Sequence, residues 1–318
     1  MEIIKDITQW KEDKAPSVIA LGFFDGFHLG HQAILETALA WSKETGAIPT
    51  VVTFDRHPWE LLHPEKLPEK LLGNLEKNAY LENIGFDRLI ELPLCQKTLE
   101  LSAREFFEWL VNVLKPVGLV VGPNYHFGHS QEGNSELLAN WAKEAGFEVK
   151  IVDYVQMGGL PISSTRIRTL LKAGEVGLAG EMLGRTYHLT GKVIAGDGRG
   201  KTIGFPTANF ELESGALLPA SGVYAVWVKK VSHWLPAVAS VGTNPTFPGE
   251  RAKRLEVHLI HFDEDLYGQT LKVAFAEYLR PELVFSGVDQ LVEKMEIDLK
   301  NAVTSLENEQ VKAMLPNW

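Results

Sequence analysis

Sulfur is scarce in this chain. Cys95 is the one cysteine among 318 residues, so no disulfide can staple the chain internally, which fits a reducing compartment or a simple absence of need. No apolar run approaches the ~20 residues that cross a bilayer. The opening Met1-Glu2-Ile3-Ile4-Lys5-Asp6 lacks the basic start and apolar core of a secretory leader. Positive charge is also in short supply. The formal net charge is −10, whereas domains that grip nucleic acid are basic. Nucleotides remain compatible with that background, because a few Arg, His and Gly residues in a cleft can hold a phosphate. There is no internal repeat and no low-complexity tract. These absences predict a cytoplasmic protein with neither nucleic acid nor membrane as a partner.

The length suits two domains rather than one. From Val18 to about Tyr154, strand and helix patterns alternate. Val18–Phe24, Ile48–Phe54 and Val117–Val121 read as buried, apolar strands, and Arg88–Leu92 and Phe147–Tyr154 as further strands. Helices are predicted from His31 onward, over Leu75–Ile84, from Ser102 to Leu114 and over Asn134–Ala145. Ser102 with Glu105 three residues on forms a capping-box pattern. This order predicts a parallel sheet covered on both faces, with ligands beyond the carboxyl ends of its strands. Helices over about 163–173 and 175–183 follow. At Gly184-Arg185 the period changes. Tyr187, Leu189 and Val193 alternate with His188, Thr190 and Lys192, predicting a half-buried strand. Val223–Val228, Ala237–Val241, Leu255–Ile260 and Leu271–Phe275 continue the β pattern, which predicts a small closed antiparallel barrel. A last helix carries Val288, Leu291, Val292, Met295 and Leu299 on one face and is expected to pack on that barrel.

Three runs follow predicted strands of the first half and are expected on one rim. They are Gly22-Phe23-Phe24-Asp25-Gly26-Phe27-His28-Leu29-Gly30-His31, Thr53-Phe54-Asp55-Arg56-His57-Pro58 and Gly122-Pro123-Asn124-Tyr125-His126-Phe127-Gly128. His28 and His31 fall where a helix begins, an end that favours anions. Gly30 between them lets a phosphate approach the backbone. Ile162-Ser163-Ser164-Thr165-Arg166-Ile167-Arg168 opens another helix with hydroxyls and two arginines. In the second half, Gly196-Asp197-Gly198-Arg199-Gly200-Lys201 leads into Gly204-Phe205-Pro206-Thr207-Ala208-Asn209. Glycine-rich backbone wraps phosphates by turning N–H groups inward. Thr207 and Asn209 offer the hard oxygen donors that Mg²⁺ prefers. Chemistry on a hydroxyl beside such a loop needs a base or an orienting carboxylate. Glu256 is the candidate, sharing one strand face with His258, opposite Leu255, Val257 and Leu259.

The two histidines around Leu29-Gly30 resemble the HxGH signature of the nucleotidyltransferase superfamily, and Ile162–Arg168 resembles its second signature. The form of that second signature, with Gly22–Gly26, Thr53–Pro58 and Gly122–Gly133, is similar to the bacterial flavin adenylyltransferase module. The Gly196–Asn209 region resembles the riboflavin kinase signature with its PTAN element. Gly242–Phe247, Asp265–Gly268 and Arg280 extend that likeness. The chain is therefore similar, from about Val18 to the last helix, to the bifunctional riboflavin kinase and FMN adenylyltransferase family, the prokaryotic FAD synthetases.

This resemblance implies an α/β plus all-β protein. Residues 1–184 would form a Rossmann-like nucleotidyltransferase domain with a parallel sheet, and residues 185–318 a riboflavin kinase-like barrel with a terminal helix. The second half would phosphorylate riboflavin with ATP to FMN. The first would transfer AMP from ATP to FMN, giving FAD and pyrophosphate. In the first half, His28 and His31 would be catalytic, and Gly22, Phe23, Asp25, Gly30, Ser163, Ser164, Thr165 and Arg168 would bind ATP. Asp55, His57 and Asn124 would hold flavin or its phosphate. In the second, Gly196, Gly198, Arg199, Gly200, Lys201 and Pro206 would bind ATP, Thr207 and Asn209 would hold Mg²⁺, and Glu256 would activate the 5′-hydroxyl. Departures occur at Arg56, where the family usually has proline, and at His129-Ser130-Gln131-Glu132, where basic residues are frequent. They leave open an active kinase joined to an adenylyltransferase half that is inactive or takes another acceptor.

Overall fold

The computed structural model describes residues 1–5, 15–196, 200, 203–243, 253–316 and 318, and the structural statements below concern these. Packing separates two compact units. One is Met1–Pro68 with Asn74–Ser163 and Trp318; the other is Glu69–Gly73 with Ser164–Asn317.

The first unit begins with β1 (Glu2–Ile4), β2 (Ser17–Leu21), α1 (Leu29–Thr45), β3 (Ile48–Phe54) and α2 (Trp59–Leu62). Then come α3 (Asn74–Ile84), β4 (Arg88–Leu92), α4 (Gln96–Leu99), α5 (Ala103–Leu114) and β5 (Pro116–Val121). A short hairpin of β6 (His126–Phe127) and β7 (Gly133–Asn134) precedes α6 (Ser135–Glu144) and β8 (Glu148–Ile151). β9 (Gln156–Met157) and β10 (Leu160–Pro161) close the unit as an antiparallel pair. Six strands form one parallel sheet in the order β1-β4-β3-β2-β5-β8. Ile19, Leu21, Leu119 and Val121 pack on one face with Phe107 and Leu110 of α5 and Leu138 of α6. α1 contacts β2, β3 and β5. Cover on both faces explains why β2 is buried at every position and shows no polar alternation. The strand order reverses beside β2, which has β3 on one side and β5 on the other. In open parallel sheets, the crevice for ligands opens at such a reversal, beyond the carboxyl ends of the strands.

The second unit contains α7 (Ser164–Ala173), α8 (Val176–Leu183), β11 (Tyr187–Ile194), β12 (Ala208–Leu212) and β13 (Gly222–Lys230). β14 (His233–Thr243), β15 (Lys253–Leu259), β16 (Thr270–Arg280), α9 (Val288–Leu306) and α10 (Glu309–Ala313) complete it. The strands close into a barrel in the order β11-β12-β15-β14-β13-β16, antiparallel throughout. Tyr187, Tyr224 and Phe275 are fully buried, with the Tyr224 ring edge-on to Phe275 at 5.4 Å. The buried phenols keep partners: Tyr187 donates to the Leu217 carbonyl at 2.6 Å and Tyr224 to that of Ala220 at 2.5 Å.

α9 packs on β13, β14 and β16 as expected, with Ala302 and Leu306 against Ala225, Trp227 and Ala274. Its attachment is also ionic. Arg280, at the end of β16, donates to Asp298 through Nε at 2.9 Å and Nη2 at 2.7 Å. The Asp298 side chain is only 3% exposed. Removing one partner of a buried pair strands the other charge, which costs about 3–5 kcal/mol. Asp298→Ala is therefore expected to lose about 3 kcal/mol in urea unfolding of the barrel unit, at the low end of that range because Arg280 also donates to the Pro281 carbonyl. An unchanged midpoint would contradict this account of how α9 is held.

Several expectations need adjustment. β2 ends at Leu21, so Gly22–Phe24 belong to the loop that follows. β8 ends at Ile151, short of Tyr154. His188 is buried at 2% rather than facing solvent, because β16 pairs with β11 beside it and its Nδ1 lies 3.3 Å from the Thr186 carbonyl. The deepest positions of α9 are Asp298, Ala302 and Leu306, whereas Val288 is exposed. β1 and β12 carried too short a pattern to be read as strands. Gly198, Arg199 and Lys201, and the run from Asn244 to Phe247, lie outside the described residues.

Candidate active sites

The three rim segments of the first unit converge as the topology requires. Gly22 and Phe23 after β2, Pro58 beyond β3, and Asn124 after β5 line one cavity of about 1180 Å³. His31 at the start of α1 lines it too. The loop after β4, from Leu94 to Leu101, supplies much of another wall and includes Cys95. That wall escaped the motif reading. Its signal was topological: β4 belongs to the same parallel sheet, so its exit loop must reach the same rim.

His28 and His31 form a tight pair. His28 is the N-cap of α1, and its Nδ1 accepts from the His31 backbone N–H at 3.3 Å. An accepting Nδ1 places the ring proton of neutral His28 on Nε2. The two rings stack at 3.7 Å with planes 18° apart. Phe24 stands edge-on to His31 at 5.4 Å. The His31 Nδ1 is buried with no hydrogen-bond partner. Burial, followed by the adjacent His28, holds His31 well below the usual imidazole range. His31 is therefore neutral at pH 7, with an unused ring nitrogen at a helix start. A Cβ on Gly30 would press on the His28 ring at 3.2 Å, so glycine is what allows the two imidazoles to close over that turn. The turn is itself strained: Phe27, just before His28, has φ 42° and is fully buried against Tyr80 at a ring distance of 4.4 Å. A non-glycine residue in this region costs about 1 kcal/mol or more, which that packing offsets.

The remaining first-unit candidates take various positions. Phe23 meets His57 edge-on at 4.8 Å, so these two come together. His57 Nδ1 accepts from the Trp59 backbone N–H at 3.0 Å and so starts α2. Asp55 accepts from the Leu94 backbone N–H at 2.9 Å, latching the exit of β3 to that of β4. Asp25 lies half-buried in the turn after β2. The departing segment after β6 is held at α5: Glu132 accepts from the Ala103 N–H at 2.6 Å, and His129 N–H donates to the Leu101 carbonyl at 2.6 Å. Ser163 precedes α7, while Ser164, Thr165 and Arg168 form its first turns. Arg168 Nε donates to the Glu69 carbonyl at 2.7 Å, within the second unit.

In the barrel, the alternation predicted for β15 holds. Leu255, Val257 and Leu259 are buried, and Glu256 and His258 are half-exposed on the other face. Pairing with β12 then places Asn209 directly opposite Glu256. A candidate metal ligand and a candidate base thus share one rung of the ladder, which no spacing in the sequence reveals. Two glycines crowd this place. A Cβ on Gly196 would overlap the Asn209 amide, and one on Gly200 would overlap the Phe205 carbonyl and approach Thr207 Oγ1 at 3.4 Å. Gly196→Ala is therefore expected to push Asn209 aside and lower kinase turnover about 10²-fold, since a displacement near 1 Å at a reacting site has such effects. Tm should change little. Wild-type turnover in this variant would sink the assignment of Asn209.

The crevice beside the histidine-marked start of α1 and the barrel rung that sets Asn209 opposite Glu256 are two separate candidate sites, one in each unit. Comparison with known proteins is specific. The FAD synthetase family profile matches residues 10–166, and the riboflavin kinase profile matches residues 183–306. The bifunctional riboflavin kinase/FMN adenylyltransferase of Listeria monocytogenes is 38% identical over 88% of this chain and 90% of its own. That of Bacillus subtilis is 35% identical over 94% of this chain and 95% of its own. A crystal structure of a Streptococcus pneumoniae protein described as a macrolide-efflux protein covers 95% of this chain and 98% of its own, with a TM-score of 0.87 and 34% identity. No helix among the described residues is long and apolar enough to cross a membrane. The chain belongs to the bifunctional riboflavin kinase/FMN adenylyltransferase family.

Proposed function

We propose that the chain makes FAD from riboflavin in two ATP-dependent steps, with the residue roles set out below. Both activities follow from family membership. The functional division is placed at Gly184–Arg185, with adenylyl transfer in residues 1–184 and the kinase in 185–318. The left-handed Gly184 that ends α8 supports this boundary. The enzyme is assigned to the cytoplasm, as a monomer or transient homo-oligomer.

In the kinase step, Glu256 takes the proton of the riboflavin 5′-hydroxyl as its oxygen attacks the γ-phosphorus, and ADP leaves. The register of Asn209 against Glu256 is the observation that carries this reading. Thr207 and Asn209 are half-exposed and present neutral oxygens beside a carboxylate, a donor set that fits Mg²⁺ shared with phosphate and water. Bound there, Mg²⁺ supplies charge neutralisation on the transferred phosphoryl group. Gly196, Gly198, Arg199, Gly200, Lys201 and Pro206 are assigned to the ATP of this step.

In the adenylyl step, a phosphate oxygen of FMN attacks the α-phosphorus and pyrophosphate leaves. His28 and His31 hold the developing negative charge; being fixed by stacking and capping, they need no reorganisation. Gly22, Phe23, Asp25, Gly30, Ser163, Ser164, Thr165 and Arg168 are assigned to ATP. Asn124, His57 and Asp55 are assigned to the flavin side, Asp55 through the loop it latches.

The test is chromatographic separation of flavins after incubation with riboflavin, ATP and Mg²⁺, with oxidised and reduced flavin side by side. FMN should appear first and FAD afterwards. FMN that accumulates under both redox conditions would remove the adenylyl assignment. Untouched riboflavin would remove the kinase assignment, and supplied FMN would then test the first unit alone.

A further inference from the structure

The β12–β15 ladder pairs Phe210 with Leu255, Asn209 with Glu256 and Ala208 with Val257. Continued by one rung, it would set Thr207 opposite His258. It stops there, because Pro206 has no N–H to give and its ring forces φ, so the strand cannot be extended through it. The segment that carries Thr207 therefore lies just beyond the reach of main-chain pairing. A side chain takes over at that point. His258 Nδ1 lies 2.8 Å from the Pro206 carbonyl oxygen. A carbonyl only accepts, so the imidazole carries its proton on Nδ1. The Phe205 ring packs on His258 at 5.4 Å, and the Phe205 N–H donates to the Gly200 carbonyl at 2.9 Å.

We propose that His258 is a positioning residue for the kinase step: by holding the Pro206 carbonyl it fixes the Pro206–Thr207 peptide plane, and so the direction of Thr207 Oγ1 toward the phosphate-bound cation. The proposal rests on the reading of Thr207 and Asn209 as the Mg²⁺ donors. His258 touches no reacting atom. It shares a strand face with Glu256, two residues away, so one short strand supplies both the base and the prop for the metal loop. The lack of a Cβ at Gly196 and Gly200 leaves room for the Asn209 amide and the Phe205 carbonyl beside this loop.

The test measures binding as well as turnover. Calorimetry with a non-hydrolysable ATP analogue, with and without Mg²⁺, gives the gain in affinity due to the cation. Four variants are compared with wild type: His258→Leu, His258→Asn, His258→Gln and Thr207→Ala. An asparagine amide reaches the place of Nδ1, whereas glutamine reaches that of Nε2. His258→Leu is expected to cut the cation-dependent gain about three- to tenfold, the worth of one part-exposed hydrogen bond. Affinity without Mg²⁺ should be unchanged, as should FAD formation from supplied FMN. His258→Asn should restore most of the gain and His258→Gln should not. A wild-type gain in His258→Leu, or equal gains in His258→Asn and His258→Gln, overturns the proposal. If His258→Leu fails to fold, the asparagine–glutamine pair decides alone. Thr207→Ala separates the two readings. Should it keep the full gain, the metal assignment fails; should it lose the gain while all His258 variants keep it, only the positioning role fails.

Discussion

Replacing Glu256 by glutamine should slow conversion of riboflavin to FMN about 10²–10⁴-fold, the range that a positioned general base contributes. The substitution keeps the shape of the side chain and the Asn209 rung while removing the acceptor for the hydroxyl proton. The loss should therefore appear in kcat, with KM for riboflavin and ATP changed less than threefold, as a rough bound. FAD production from supplied FMN should stay at the wild-type rate, because β15 lies in the other packing unit from the His28–His31 pair. A fall in KM-linked affinity at constant kcat would instead make Glu256 a binding residue. Wild-type kinase turnover would return the role of base to another group.

The complementary substitution, His31→Gln, should lower adenylyl transfer to FMN about 10²–10³-fold, as loss of one preorganised donor to a developing oxyanion does. FMN should then accumulate from riboflavin at the normal rate. The same variant reports on stability. Burial lowers the His31 pKa in the folded chain, so between that value and the unfolded imidazole pKa the unfolded chain binds the extra proton. Stability therefore rises with pH through this window. The contribution is complete above the unfolded imidazole pKa and is lost as pH falls toward the folded one. Tm measured from pH 7 to pH 5 should fall less steeply in His31→Gln than in wild type. Parallel slopes would mean that the buried imidazole carries no linkage.

Local signals were legible, and long-range ones were not. Ile48–Phe54 and Arg88–Leu92 were readable to their last residue, because a short run rich in aliphatic and β-branched residues that stops at Asp55 or at Pro93 is a property of the segment itself. The box between Ser102 and Glu105 is equally local, and it forms with bonds of 3.2 and 2.8 Å. The converging rim was legible as well, since parallel strands must release their loops on one side. β12 was hidden because Pro206 and Asn209 mask a short alternation that only β15 completes. The burial of His188 comes from β16, far along the chain. Arg280 stood in the sequence as a residue that extends the kinase-like signature, and the structure adds its bidentate bond to Asp298. That partner lies across a helix whose polar position no periodicity marks as buried. Asp55 likewise has a partner, the Leu94 backbone, that only the β3–β4 pairing brings close.

The closure of the barrel has a temporal side. β11 pairs with β16, so the first strand of the barrel waits for the last before either is complete. Contacts of such sequence separation form late, because the entropy of closing the intervening loop must be overcome before any pairing stabilises it. In the parallel sheet β2 likewise waits for β5, across a comparable stretch of chain, but both strands lie in the part that is synthesised first. During synthesis the adenylylating half can therefore mature while the barrel is still gathering its strands. The order of assembly runs opposite to the order of chemistry: the half that acts on riboflavin first is the half that folds last.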